Sequence, residues 1–192
     1  LKRVLYYDPL FRASCDSVGA RLHLIGAPPL VVGEGSISIG SDVQIMAPIT
    51  FAFSRVSGRS SRLTIGDRTV VSCGVSIFVA EEVAIGNDCI IGPGVNIYDN
   101  PAHPTDPGDR LSRSHLRQDD IRPVVIEDNC WISSDAKILP GVRIGEGTVI
   151  GAASVVTHSV PSYSLAAGNP ARVVKSLRCL LYTSPSPRDR TR

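Results

Sequence analysis

An aliphatic residue returns at every sixth position along most of this chain. From Ile126, steps of six land on Ile132, Ile138, Ile144, Ile150 and Val156. Ile65, Val71 and Ile77 keep the same spacing, and after two extra residues Ile85, Ile91 and Ile97 resume it. An earlier set, Ile39, Ile45 and Phe51, holds the beat less cleanly. Four residues after each aliphatic stands a small or β-branched side chain, as in Cys130, Ala136, Val142, Thr148, Ser154 and Val160. A period of six fits neither an amphipathic helix nor a simply alternating strand. It predicts short strands joined by tight turns and wound into a three-sided prism, with one inward aliphatic per side. The small residue fits the crowded corner. Gly40, Gly66, Gly86, Gly92, Gly145 and Gly151, each directly after an aliphatic, are expected to supply turn conformations.

The beat defines the organisation. Residues 31–170 are expected to form the prism, and 126–161 run without an insertion. Residues 1–30 show no beat; "DPLFRASCDSVG" predicts a short helix or turn and "GAPPLVVG" a strand leading into the first coil. Residues 171–178 are expected to leave the last coil as a strand or short helix. The beat stops between Ile97 and Ile126, where an excursion of about 98–123 is rich in Pro, Asp, Arg and Ser. So long a loop in a compact repeat protein points to function. It carries His103 and His115. The chain does not open on Met, which leaves room for an upstream segment.

Composition narrows the partners. The last 14 residues, "CLLYTSPSPRDRTR", resemble the translated read-through of a sequencing-library adapter and are set aside as a non-native tail. That tail holds three arginines against one aspartate, which accounts for the whole formal charge of +2, so the body is neutral. A nucleic-acid-binding face therefore has no support from net charge. No apolar run is long enough to insert in a membrane, and the N-terminus lacks a signal peptide's apolar segment. With aromatics at only 5%, the core must come from Val, Ile, Leu and Ala. Apart from Cys179, the cysteines are Cys15, Cys73, Cys89 and Cys130, with no CxxC pair and no nearby His. Three of them read as buried small hydrophobes, and a reducing, cytoplasmic location fits them.

Three further stretches carry chemistry: "HPTDP" in the excursion, "DNCWISSDAKILPGVRIGEGTVIGAASVVT" in the last coils, and "AAGNPARVV" after them. With the six-residue beat, they resemble the hexapeptide-repeat acyltransferases, in the sugar and polysaccharide O-acetyltransferase branch that includes maltose and galactoside acetyltransferases. The resemblance covers roughly residues 20–176 and implies an all-β fold, a left-handed parallel β-helix. It also implies acetyl-CoA as donor, no metal, and a homotrimer whose active sites lie between subunits. His103 is then the general base, because an alcohol is a poor nucleophile at neutral pH and imidazole can take its proton and return it to a leaving thiolate. The backbone N–H of Ser134 is implied as oxyanion donor. The coenzyme lining carried over is Trp131, Ser134, Ala152, Thr157 and His158, with Arg172 and Lys175 at the phosphate end. His158 stands where the family usually has Lys, which puts a partial charge in place of a full one. Trp131 precedes an inward Ile and should face outward.

Other residues are less specific. Asp99 and Asp106 are each near enough in sequence to orient His103, but each equally suits capping of its own loop backbone. His115 reads as a surface loop residue, and His23 has no assigned role. Ser72 and Ala80 occupy positions where galactoside enzymes carry sugar-binding Asn and Asp. That departure shifts the expected acceptor from galactosides or maltose toward a precursor of polysaccharide biosynthesis, by analogy alone. Two readings compete with the transferase. A gamma-class carbonic anhydrase needs three zinc-binding histidines, yet His103 and His115 are twelve apart and 126–157 contains none. A non-catalytic solenoid scaffold would leave His103 incidental.

Overall fold

The computed structural model describes residues 6–54, 60–112, 114 and 116–178. His115 and the adapter-like tail lie outside these. The chain winds as a left-handed parallel β-helix with three flat faces. The first and third faces each have six strands, and the second has eight. All pairings between coils are parallel, and the strands of the inner coils meet the strand one coil before and the strand one coil after.

The six-residue beat becomes three columns of stacked side chains. Ile39, Ile65, Ile85, Ile126 and Ile144 are in register on the first face. Leu24, Ile45, Val71, Ile91, Ile132, Ile150 and Ala166 stack on the second. Val31, Phe51, Ile77, Ile97, Ile138 and Val156 stack on the third. Nearly all are fully buried. Each such side chain contributes about 1.5–3 kcal/mol of transfer free energy, so the columns are the source of the fold's stability.

The small residues fill a corner column whose polar atoms are satisfied along the helix axis. Thr69 Oγ1 donates to the Gly86 carbonyl at 2.8 Å, and Cys89 Sγ to that of Glu127 at 3.1 Å. Cys130 Sγ donates to Gly145 O at 3.2 Å and Thr148 Oγ1 to Pro161 O at 2.9 Å. Hydroxyl and thiol are interchangeable here because both are small and both cap a carbonyl one coil on.

Three expectations are corrected. The prism begins well before residue 31: Ser17–Val18, His23–Ile25 and Leu30–Val32 form a complete first coil paired to the second. His23 therefore sits on a strand, exposed. Among the described residues the helix Asp8–Ala13 stands before this coil, and its Phe11 packs on Phe51 (ring centroids 6.3 Å apart) to close the end of the prism. Second, the glycines after the aliphatics have no positive φ; they are required by closeness of approach. A Cβ on Gly66 would lie 2.6 Å from the Gly86 carbonyl carbon of the next coil. The left-handed backbone falls instead on Asp42, Arg68, Asp88 and Asn129 at one corner. Third, Cys89 and Cys130 are buried but Cys15 is half-buried and Cys73 exposed, because Cys73 occupies a turn two residues past the inward Val71. After the sixth coil, Ala171–Ser176 forms a strand that turns back antiparallel on Ser164–Gly168 and covers the second face's last parallel edge.

Candidate active site

The excursion is held rigidly at its root. Tyr98 ends the fourth coil on the third face, its ring stacked on Phe78 of the coil before (centroids 4.8 Å, planes 8° apart). Asp99 follows, fully buried. Its carboxylate accepts from the backbone N–H groups of Ala80 (2.7 Å), Glu81 (2.7 Å) and Glu82 (2.9 Å), and from Asn100 Nδ2 at 2.7 Å. Burial pushes this carboxyl upward, and its four donors pull it back. The Asp99 carbonyl accepts from Arg122 N at 2.9 Å, so the two ends of the excursion are tied together. Asn100 Oδ1 accepts from Ala102 N at 2.8 Å and fixes the positive φ of Ala102, directly before His103.

His103 itself is exposed at the tip of this pinned segment. Pro104 beside it is buried, and Arg110 Nη1 donates to the carbonyls of Pro104 (3.1 Å) and Thr105 (2.6 Å). Asp106 caps the short helix Pro107–Leu111 by accepting from Asp109 N at 2.9 Å. Both aspartates near His103 thus serve backbone. Neither bonds the imidazole.

The remaining sequence-derived residues fall into separate groups. Ser134 and Ala152 lie on the edge where the second face turns into the third, in successive coils, and Ala153 N donates to Ser134 O at 2.8 Å. Among the described residues, no group accepts from the Ser134 amide. His103, Thr157 and His158 lie on a different edge, where the third face turns into the first. Among the described residues, no hydrogen bond of the excursion reaches the edge that carries Ser134. His158 Nδ1 and Thr157 Oγ1 are 2.8 Å apart. His158 and Arg172 line one open cleft of about 280 Å³, with Lys175 exposed farther along the strand of Arg172. Ser72 is on the Ser134 edge; Ala80 is buried on the other, its N–H held by Asp99. Among the described residues, no three His, Cys, Asp or Glu side chains converge to hold a metal ion.

One feature escaped sequence reasoning. On the outer side of the second face, Val70, Ile90, Trp131, Val149 and Leu165 are in register across five coils. Trp131 is 49% exposed and Ile90 48%. A sheet face turned to water normally alternates to polar residues. The signal was present: each of Val70, Ile90, Trp131 and Val149 directly precedes an inward aliphatic, and only Trp131 was singled out.

Comparison with known proteins agrees with this architecture. Residues 123–158 match the bacterial transferase hexapeptide family (six repeats). The chain is 36% identical over 96 residues to the galactoside O-acetyltransferase of Lactococcus lactis, covering 50% of this chain and 44% of that one. It spans about half the length of the curated relatives it matches most strongly. Among solved structures, a hexapeptide-repeat acetyltransferase from Vibrio cholerae complexed with acetyl coenzyme A superposes with a TM-score of 0.63 at 26% identity, over 88% of this chain and 75% of that one. A galactoside acetyltransferase in complex with coenzyme A gives 0.61 at 26% identity, over 88% and 69%. Residues 123–158 thus carry the repeats of the bacterial transferase hexapeptide family, and the chain shares its left-handed parallel β-helix fold with acetyltransferases of that kind.

Proposed function

We propose that this protein transfers an acetyl group from acetyl-CoA to a hydroxyl of a sugar or polysaccharide precursor, as a homotrimer with sites shared between copies. The observation that supports this most directly is the division of the site between two edges. The excursion bearing His103 leaves after the fourth coil, and Ser134 stands in the fifth. In a closed ring of parallel copies, equivalent coils sit at equal height. One copy's third–first edge, laid against its neighbour's second–third edge, sets His103 opposite Ser134 and covers the apolar row of the second face. Trp131 then lies at the junction.

In this reading the acceptor hydroxyl attacks the thioester carbonyl directly. His103 takes the hydroxyl proton as the C–O bond forms, and returns it to the departing thiolate as the C–S bond breaks. The Ser134 amide, which has no partner among the described residues, donates to the oxyanion of the tetrahedral intermediate. Ala152, small and exposed, lets the donor's arm lie against backbone. Thr157, His158, Arg172 and Lys175 meet its phosphates, and the cleft between His158 and Arg172 has the charge for that role. Action in the cytoplasm accords with the free, buried Cys89 and Cys130.

The test is release of free thiol from acetyl-CoA across a panel of sugar acceptors. Acceptor-dependent release is expected. In the same assay Arg172→Ala should raise the KM for acetyl-CoA roughly tenfold, the loss of one charge-assisted phosphate contact, with kcat nearly unchanged. A fall in kcat at constant KM would place Arg172 in another role.

A further inference from the structure

The C-terminal end of the prism is stepped. The third face stops at Val155–Val156, while the second runs on through Ser164–Gly168 and Ala171–Ser176. The step forms the open cleft of about 280 Å³ between residues 158–160 and 171–173. Its charged lining is His158 and Arg172, both exposed, and no carboxylate lines it. His158 Nδ1 lies 2.8 Å from Thr157 Oγ1, and among the described residues its Nε2 has no hydrogen-bond partner. With the hydroxyl donating to Nδ1, the neutral ring carries its proton on Nε2; in the charged ring Nδ1–H donates to the hydroxyl instead. Nε2–H is a donor in both states, and only the charge behind it changes. Among the described residues, no anionic neighbour masks that change. The turn one coil below, Leu139, Pro140 and Gly141, is uncharged. Ser159 Oγ accepts from the Arg143 amide at 3.0 Å, but the Arg143 guanidinium is paired with Glu127. The last strand brings Arg172 to the cleft and Lys175 beyond it, and Arg178 lies over the Tyr163 ring, 5.9 Å from its centroid.

We propose that His158 makes donor binding follow pH: this cleft holds a phosphate of coenzyme A tightly while the imidazole is charged and more weakly once it is neutral. The inference rests on the transferase reading above for the identity of the donor. Arg172 keeps its charge at every physiological pH, so the site never loses its hold altogether. Imidazole is the side chain whose ordinary charge change falls between about pH 5 and 8. The Thr157 hydroxyl can satisfy Nδ1 in both forms, so Nε2–H stays available to a phosphate oxygen throughout. The response is therefore graded. A charge-assisted hydrogen bond becomes a neutral one as pH rises, a loss of roughly fivefold in affinity. A lysine at this position would keep its charge across the same range and give no such response. Below saturating donor, the rate of transfer then falls with rising pH through donor occupancy, separately from any titration of the base at His103.

The test is titration calorimetry of coenzyme A with the full chain at steps between about pH 5.5 and 8, repeated for His158→Lys and His158→Gln. The ligand's own phosphate monoester gains charge near about pH 6, which acts in the opposite sense. Each variant is therefore compared with wild type at the same pH, where the contributions of ligand and His103 cancel. Relative to His158→Lys, wild type is expected to bind equally well at the acid end and roughly fivefold more weakly at the alkaline end. Relative to His158→Gln, it is expected to bind roughly fivefold more tightly at the acid end and equally well at the alkaline end. A ratio to either variant that does not move with pH overturns the proposal and leaves the transferase standing. No binding of coenzyme A by wild type at any pH overturns both. Ratios that move as expected, with no thiol release from acetyl-CoA for any acceptor, keep the pH response and remove the transferase.

Discussion

His103→Ala is expected to lower turnover by about two to four orders of magnitude, the range of a lost general base. Its effect on folding should be negligible. His103 is exposed, and among the described residues it makes no hydrogen bond. Its position is set by its neighbours instead: Asn100 fixes Ala102, Pro104 is buried, and Arg110 holds the carbonyls of Pro104 and Thr105. The variant should therefore retain its melting temperature and its KM for acetyl-CoA while kcat falls. Steady-state thiol release at saturating donor reads this directly. Equal turnover in wild type and variant would remove His103 from the mechanism, whatever its motif.

Asp99→Ala carries the second large effect, and it acts through the fold. The Asp99 carboxylate accepts from the backbone amides of Ala80, Glu81 and Glu82 at the turn between coils. Its removal takes this acceptor from three backbone donors, Ala80 buried and the other two half-buried, at a cost of on the order of 3 kcal/mol. Water entering the vacated space offsets part of this, so the figure is nearer one unsatisfied group than three. The Asn100 side chain loses its partner as well, and with it the hold on Ala102. Urea unfolding should show the lower stability. Trypsin should cut faster at Arg110 and Arg117 within the excursion, and turnover should fall along with the positioning of His103. Unchanged stability together with unchanged cleavage would contradict the pinning role.

The prism was legible in the sequence because it repeats. Ile126 to Val156 advance by six without a break, and each step lands on the column of the next face. The first coil was illegible for the same reason in reverse. Val18 and Leu24 keep the beat, but Val31 follows after seven residues and Ile39 after eight, so the corners there absorb insertions that hide the column. The glycines were visible but their cause was not, since closeness between Gly66 and Gly86 is a property of coils twenty residues apart. Asp99 reads in sequence as one more loop aspartate. Its partners lie 17 to 19 residues earlier, a separation that only the winding reveals.

The division of the site follows the same logic. The roles proposed for His103 and Ser134 come from motif, as does the expectation of sites between subunits. What motifs do not carry is that one chain places the two residues on different edges. That placement supplies a physical reason for the shared site we propose, and the apolar row through Trp131 would give a neighbouring copy a face to cover.

The central claim is that one copy lends His103 to another copy's Ser134 edge. Mixing two defective proteins tests it. His103→Ala lacks the base, and Ala152→Trp blocks the second–third edge where the donor's arm should lie. Each alone is expected to be nearly inactive. Refolded or co-expressed together in equal amounts, they should regain activity at roughly one site in four, because a random closed ring pairs an intact histidine with an intact edge that often. Mixed assemblies as inactive as either parent, with wild type active under the same treatment, would contradict the shared site.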